Sequence, residues 1–239
     1  MKELPDKVEQ RYDVELSPAE MVSYEALRLK AQRVLEEEDK VNVNVLSYIT
    51  KLRQAACSLS LLDQSSLDSV PSSKLEVLMK ILYDIQKGNN RVLIFSQFTS
   101  YLKLVKDRFD NEGFTYFYLD GSTPMKQREQ LVKRFQGGES GIFIISLKAG
   151  GLGLNLTGAN YVIHMDPWWN PAIEQQATDR AYRIGQQNKV TVYHLIATHT
   201  IEEKIYRLHQ TKQQFSNALL EGAIVGHQLS VDDLWQLIS

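Results

Sequence analysis

The sequence predicts an α/β fold: a parallel sheet covered by helices on both faces, with a helical subdomain on its N-terminal side. Three observations carry this. Short apolar runs such as Arg91–Phe95, Gly141–Ser146 and Tyr161–Met165 lack polar alternation and read as strands buried on both faces. They alternate with capped, helix-periodic segments, as crossover helices alternate with parallel strands. Between residues 17 and 60, by contrast, two helical patterns follow one another with no strand between them.

Residues 1–16 read as an extended lead-in. Ser17-Pro18-Ala19-Glu20 is a capping box with proline at the first helical position. The helix it opens buries Met21, Tyr24, Leu27, Ala31 and either Val34 or Leu35, and frays at the acidic run Glu36–Asp39, whose charge opposes the helix dipole. A second helix over about 43–60 has Val45, Ile49, Leu52, Ala56 and Leu59 on one side. The Ser- and Asp-rich stretch 63–73 reads as a linker. Beyond it, Ser73–Glu76 caps a helix buried through Leu75, Leu78, Met79, Leu82 and Ile85. Strands are expected at 91–95, 116–119, 141–146, 161–165 and 190–195, and intervening helices at about 100–112, 123–135 and from Pro171. Thr200–Glu203 opens a long helix to about Leu220, and Ser230–Asp233 caps a short last one. The expected organisation is therefore 1–70 lead-in plus helical insertion, 71–220 sheet domain and 221–239 helical tail.

Composition excludes several classes. A single cysteine, Cys57, rules out a disulfide framework and a cysteine-based zinc site. It sits on an apolar helix face with no histidine near it in sequence, as a packing thiol does. The five histidines show no metal-ligand spacing, so no metal bound by this chain alone is expected. No apolar run reaches membrane-span length and no signal peptide opens the chain, so no membrane association is expected and the compartment is cytoplasmic, or nuclear in a eukaryote. Net charge is −2, divided as −4 over residues 1–70 and +2 over 71–239, which leaves nucleic-acid binding open.

In parallel sheets, ligands bind beyond the carboxyl ends of the strands. Four loops lie there: Ser96–Phe98, Asp120–Thr123, Ser146–Gly151 and Asp166–Trp169. Gly121, Ser122 and Thr123 precede a helix N-terminus, where free N–H groups can meet phosphate; an ordinary cap and turn would read the same way. In Ser146–Asn155, glycines allow close backbone approach, Lys148 can meet a phosphate and Asn155 a sugar hydroxyl. Trp168 and Trp169 read either as stacking platforms or as buried anchors. Asn170-Pro171 starts a helix on which Gln176, Arg180 and Arg183 fall at i, i+4 and i+7 on one face. Two guanidiniums and an amide there suit a phosphoryl group in transfer; a solvated face with ion pairs to Asp179 and Glu174 is the alternative. There is no GxxxxGK[ST] loop and no Asp-Glu pair ending a strand, so these residues would form half of a bipartite site.

In this order the motifs resemble those of the second RecA-like lobe of Swi/Snf-type ATPases, within the superfamily-two helicases. Arg91–Phe98 resembles motif IV; Asp120–Pro124 with Arg128, the DGST motif that follows; Ser146–Asn155 continuing to Asp166–Pro171, motif V and its extension; Gln176–Gln186, motif VI. The resemblance implies that Arg180 and Arg183 are arginine fingers, with Gln176 nearby. It implies that Gly151, Gly153 and Asn155 face ATP, and that Gln97, Gly121, Ser122, Thr123, Ser146 and Lys148 face DNA. Residues 17–60 resemble the family's helical insertion, although Leu52–Ser60 departs from its usual LRQ-x-C-x-HP pattern. The implied activity is DNA-dependent ATP hydrolysis driving translocation on double-stranded DNA, with ATP and Mg2+ held mainly by the first lobe of the same polypeptide. A DNA-bound protein or RNA polymerase is the implied object of remodelling. The spare loops look bacterial and HepA-like, which implies a nucleoid location. A strand-separating DNA or RNA helicase, or a non-catalytic module of the same shape, are the alternative classes.

On this reading the chain alone hydrolyses no ATP. DNA-stimulated phosphate release by the purified chain is expected at background, and robust turnover free of contaminating ATPase would overturn it.

Overall fold

The computed structural model describes residues 4–37, 42–62, 70–88, 90–149, 153–219 and 237–238. The chain runs β1 (Lys7–Val14), α1 (Pro18–Glu37), α2 (Asn42–Cys57), a short 3-10 turn (Leu59–Leu61), α3 (Ser73–Gln86), β2 (Val92–Ser96), α4 (Thr99–Glu112), β3 (Tyr116–Leu119), α5 (Met125–Gln136), β4 (Ile142–Ser146), β5 (Tyr161–His164), α6 (Pro171–Thr178), β6 (Val190–Ala197) and α7 (Ile201–Leu219). The sequence placed most of these within a few residues; it read β1 only as an extended lead-in, ran the 3-10 turn into the second helix, and carried α6 on through the arginines. The short helix expected after Ser230 and the linker residues 63–69 lie outside the described residues.

The strands form one six-stranded sheet in the order β1-β6-β5-β2-β4-β3. The pairs β2–β4, β2–β5, β3–β4 and β5–β6 are parallel, with Val92 opposite both Ile142 and Tyr161. The adjacent inner strands β2 and β4 are buried along their whole length. That explains their unbroken apolar runs: each residue meets a helix layer on one face or the other. On one face Leu93, Phe95, Phe143 and Ile145 pack with Phe135 of α5 and Ala177 of α6. The alternate residues Val92, Ile94, Ile142 and Ile144 are equally buried, and α4 packs over β2 and β4 through Leu102, Val105 and Phe109.

The chain divides into two compact units, neither contiguous: Met1–Asp13 with Lys74–Ile196, and Val14–Ser73 with Ala197–Ser239. This differs from the three successive segments read from the sequence. The lead-in is a strand of the sheet, and α7 groups with α1 and α2. Pairing partners of an isolated strand leave no local signal, so neither assignment was readable from periodicity.

In the helical unit the capping box closes as the sequence implies, with Ser17 N donating to Glu20 Oε2 at 2.8 Å and Glu20 N to Ser17 Oγ at 3.3 Å. Glu20 also takes the Ser73 amide at 3.0 Å and the Ser73 hydroxyl. Tyr24 Oη accepts from Ile201 N at 2.7 Å, and burial pushes its phenol well above the usual range. Cys57 is buried and donates to Glu202 Oε1 at 3.6 Å, so it packs as a thiol.

In the sheet unit one burial departs from expectation. Lys74 is fully buried and donates to Met165 O at 2.6 Å, whereas Leu75 is only half-buried. The rest of the expected stripe, Leu78, Met79, Leu82 and Ile85, is buried, so only the first turn differs, where Lys74 supplies a donor to the β5 carboxyl end.

Phe143 sits at the middle of this core, 5.3 Å from the Phe135 ring and edge-on to Phe117 at 5.9 Å. Phe143→Ala is expected to lower unfolding free energy by about 3–5 kcal/mol. Urea denaturation of the chain measures this, and an unchanged midpoint would refute the packing role.

Candidate functional site

The loops at the strands' carboxyl ends meet as the parallel topology requires. Asp166, at the end of β5, ties two of them: its Oδ1 accepts from Ser96 Oγ at 2.5 Å and Gln97 N at 3.3 Å. Leu147 N donates to Ser96 O at 2.9 Å and draws the loop after β4 alongside. Gln97 is 9% exposed, and its Nε2 has no hydrogen-bond partner among the described residues. It lines a small hollow of about 160 Å³ with Leu147, Lys148, Trp168, Ile173 and Gln176. Lys148 is exposed there, as a phosphate contact requires. Trp168 is half-buried and packs against the sheet core, as an anchor does.

Ser146 departs from expectation. It remains in strand register opposite Ser96 and is 1% exposed, so its hydroxyl cannot face a DNA phosphate. The strand runs one residue further than a loop contact would need.

The Asp120–Thr123 loop is also more self-contained than its sequence suggests. Asp120 Oδ1 accepts from Ser122 N at 2.8 Å and Ser122 Oγ at 2.6 Å, and Thr123 N donates to Asp120 O at 3.2 Å. These bonds, from the Ser122 hydroxyl above all, hold the Asp120 carboxyl below its usual range. Donors of Ser122 and Thr123 that a bare helix N-terminus would offer an anion are thus already engaged. Arg128 braces the loop: it is 7% exposed and donates to Thr123 O at 2.6 Å and to Asp120 O and Gly121 O at 3.1 Å each. The exposed backbone of Gly121 and Ser122 is held outward by that fork.

The arginine stretch is where the sequence expectation needs most correction. Asn170 caps α6, its Oδ1 accepting from Ala172 N at 3.0 Å, but the helix ends at Thr178. Arg180 and Arg183 lie in the turn beyond it, and their relation to Gln176 is not that of one helix face. Leu156 N donates to Arg180 O at 2.9 Å, and Gln186 Nε2 donates to Ala181 O at 3.0 Å and to Ala159 O at 2.8 Å. The Arg180 and Ala181 carbonyls, which a continued helix would pair with Ile184 N and Gly185 N, meet other donors instead, and Gly185 at φ 106° turns the chain away.

The three side chains nevertheless converge. Gln176, Arg180, Arg183, Gly153, Asp179, Tyr182, Ile184 and Leu4 line one open hollow of about 560 Å³. Arg180 is 5% exposed with no partner on Nε, whereas Arg183 is exposed. Burial, then the neighbouring Arg183 charge, pulls the Arg180 pKa down against the pull of Asp179. Two like charges in a partly desolvated hollow favour an incoming anion. The alternative partners are occupied otherwise: Asp179 accepts from Gln175 at 2.7 Å, and Glu174 is turned inward. Gly153 adopts φ 66°, a left-handed conformation that suits glycine. Asn155 is exposed on the same loop, and Gly151 lies outside the described residues.

Sequence reasoning missed a second set of residues. Glu174 Oε1 accepts from Trp168 N at 2.5 Å, and its Oε2 lies 3.5 Å from His194 Nδ1 on β6. His194 Nε2 is 3.6 Å from Glu9 of β1, and its ring stacks on His164 at 5.0 Å. Glu174 was legible only as a surface acid, and nothing in the sequence pairs residue 174 with 194 or 9.

Arg128→Ala leaves three loop carbonyls without their shared donor and is expected to cost about 1.5–3 kcal/mol of stability. Arg128→Lys should recover less than half of this, since an ammonium cannot reproduce the planar fork. Urea unfolding of both variants distinguishes this from a solvated arginine, which predicts no change.

Comparison with known proteins places these features. Residues 73–185 match the helicase conserved C-terminal domain. Over 99% of its length the chain is 38% identical to an uncharacterized ATP-dependent helicase of Mycoplasma pneumoniae, of which it covers 23%. It is 37% identical, again over 99%, to the putative ATP-dependent helicase/translocase YwqA of Bacillus subtilis, of which it covers 26%. The chain thus spans about a quarter of the length of these relatives. The structure of the Sulfolobus solfataricus SWI2/SNF2 ATPase core in complex with dsDNA superposes with a TM-score of 0.78 at 30% identity, over 99% of this chain and 48% of that one. With its six-stranded parallel sheet, its arginine turn and its glycine loop, the chain belongs to the SWI2/SNF2 helicase-like ATPases, as their C-terminal RecA-like lobe.

Proposed function

We propose that this chain is the second motor lobe of an ATP-driven translocase on double-stranded DNA that remodels protein–DNA complexes. The observation that carries the reading is the convergence of Arg180, Arg183 and Gln176 with Gly153 on one hollow. Arg180 has an unspent, buried N–H there, and Arg183 reaches solvent. These residues fit a nucleotide's terminal phosphates, a delocalised anion that planar guanidiniums match. The nucleotide and its Mg2+ are held mainly by the first lobe in this reading. Lys148, Gln97 and the loop 121–123 form the edge that follows one DNA strand's backbone. The SWI2/SNF2 core complex with dsDNA and the translocase relative support duplex DNA as the track.

The chemical role of the arginines is differential. Charge spreads over the γ-phosphoryl oxygens as transfer proceeds, and guanidiniums delivered by lobe closure stabilise that charge more than the bound ground state. Closure and reopening of the cleft then convert each hydrolysis into a step along the backbone.

In the complete two-lobe enzyme, Arg180→Ala and Arg183→Ala should each lower DNA-stimulated hydrolysis by roughly 10³- to 10⁵-fold while ATP and DNA still bind. Arg183→Lys should fail nearly as badly. A surface role would instead give near-normal turnover and at most about 1 kcal/mol of stability. Turnover within a few-fold of the unmodified enzyme for both alanine variants would sink the assignment.

A further inference from the structure

The cluster of Glu9, His164, Glu174 and His194 lies behind the candidate DNA edge and touches neither hollow. Glu174 is 5% exposed, and a buried carboxylate is stable only with a cation or several donors. One donor is Trp168 N–H, and the cation beside it is the His194 imidazolium. Every element packed on His194 bears on its charge: α6 through Glu174, β1 through Glu9, whose Oε1 lies 2.6 Å from Lys7 Nζ, and β5 through His164. His164 is fully buried and held neutral by that burial and by the His194 charge, its pKa pushed down to about 4, and its Nε2 lies 2.9 Å from Thr178 Oγ1. Of the two stacked histidines, His194 therefore carries the proton.

We propose that His194 is a positioning residue: its imidazolium clasps Glu174 so that this carboxylate holds the Trp168 backbone and the first turn of α6, and thereby sets the Gln97–Lys148 hollow. Trp168 and Ile173, on either side of this clasp in the chain, are two walls of that hollow, and Gln176 lines both hollows. The consequence for DNA rests on the reading of that edge given above; the clasp itself does not.

The clasp has a defined pH window. Burial opposes the charge on His194, but the carboxylates of Glu174 and Glu9 outweigh it and raise its pKa from 6.5 to about 9. A group raised on folding stabilises fully below its unfolded value and loses that contribution as pH rises through the folded value. The clasp is therefore closed at neutral pH and opens near pH 9. On the acid side the His194 contact, partly offset by burial, holds Glu9 down to about 2.

The test uses the full-length protein. Imidazole C2-hydrogen exchange read by mass spectrometry titrates His194, and amide exchange over 166–176, corrected for intrinsic rates, reports the loop. Loop protection should fall in step with His194 deprotonation. Glu174→Gln should lower the His194 midpoint by roughly 1 to 3 pH units. His194→Gln should speed loop exchange by roughly tenfold and abolish its alkaline step. The neutral pair His194→Gln/Glu174→Gln should restore most of the protection, which a merely damaged core would not. Loop exchange indifferent to His194 charge, or no midpoint shift in Glu174→Gln, overturns the proposal. Loop exchange that responds while duplex-DNA affinity does not would uphold the clasp and count against the DNA reading of the edge.

Discussion

The candidate nucleotide site hangs on one backbone hydrogen bond, from Leu156 N to Arg180 O at 2.9 Å. It joins the glycine loop that follows β4 to the turn that follows α6. The Arg180 carbonyl makes this contact beyond the end of α6, and Gly153 lies on the same hollow as Arg180 and Arg183. Gln186, with its amide on Ala181 O and Ala159 O, holds the same two segments from the other side. Two arginines on a continued helix would stand roughly one turn apart along a rigid rod. In a turn their spacing is set by tertiary bonds, and those same bonds fix the loop that faces them.

Buried charge recurs wherever a loop at this edge must be held. Lys74 holds the end of β5, Asp166 joins β5 to β2, Arg128 braces the turn after β3, and Glu174 with His194 secures the segment between β5 and α6. Such groups are poor sources of stability, because desolvation cancels much of their attraction. Their value is geometric. A loop cannot bury apolar surface enough to define its own shape, and its backbone polar groups need partners. A charged side chain rising from the rigid sheet satisfies several at once and leaves one arrangement favoured over others. The clasp at His194 fits this pattern, with the difference that its cation titrates.

The edge is also less open to anions than motif reading implies. Ser146 stays within its strand, and Asp120 occupies donors of Ser122 and Thr123. Among the described residues of this edge, Lys148, the Gln97 amide and the exposed turn at Gly121 and Ser122 stay open to an anion. On the proposed reading of this edge, few contacts of this kind favour binding that is independent of sequence and easily released.

Much of this was legible in the residues alone. Unbroken apolar runs between capped helices determined the parallel sheet and, with it, the edge on which ligands bind, because periodicity and capping are local properties of the chain. The order and spacing of the motifs likewise determined the family. Three things were decided only by tertiary structure. Arg180 and Arg183 lie in a turn beyond their helix, where Leu156 N and the Gln186 side chain meet the carbonyls of Arg180 and Ala181. Ser146 and Lys74 were buried because strand register and the carboxyl end of β5 required it. Glu174 found His194 because β6 lies beside β5 in the sheet, a neighbour relation that no local pattern encodes. Helix ends, hydroxyl exposure and ion-pair partners all depend on groups far away in sequence, and only the folded chain brings those groups into reach.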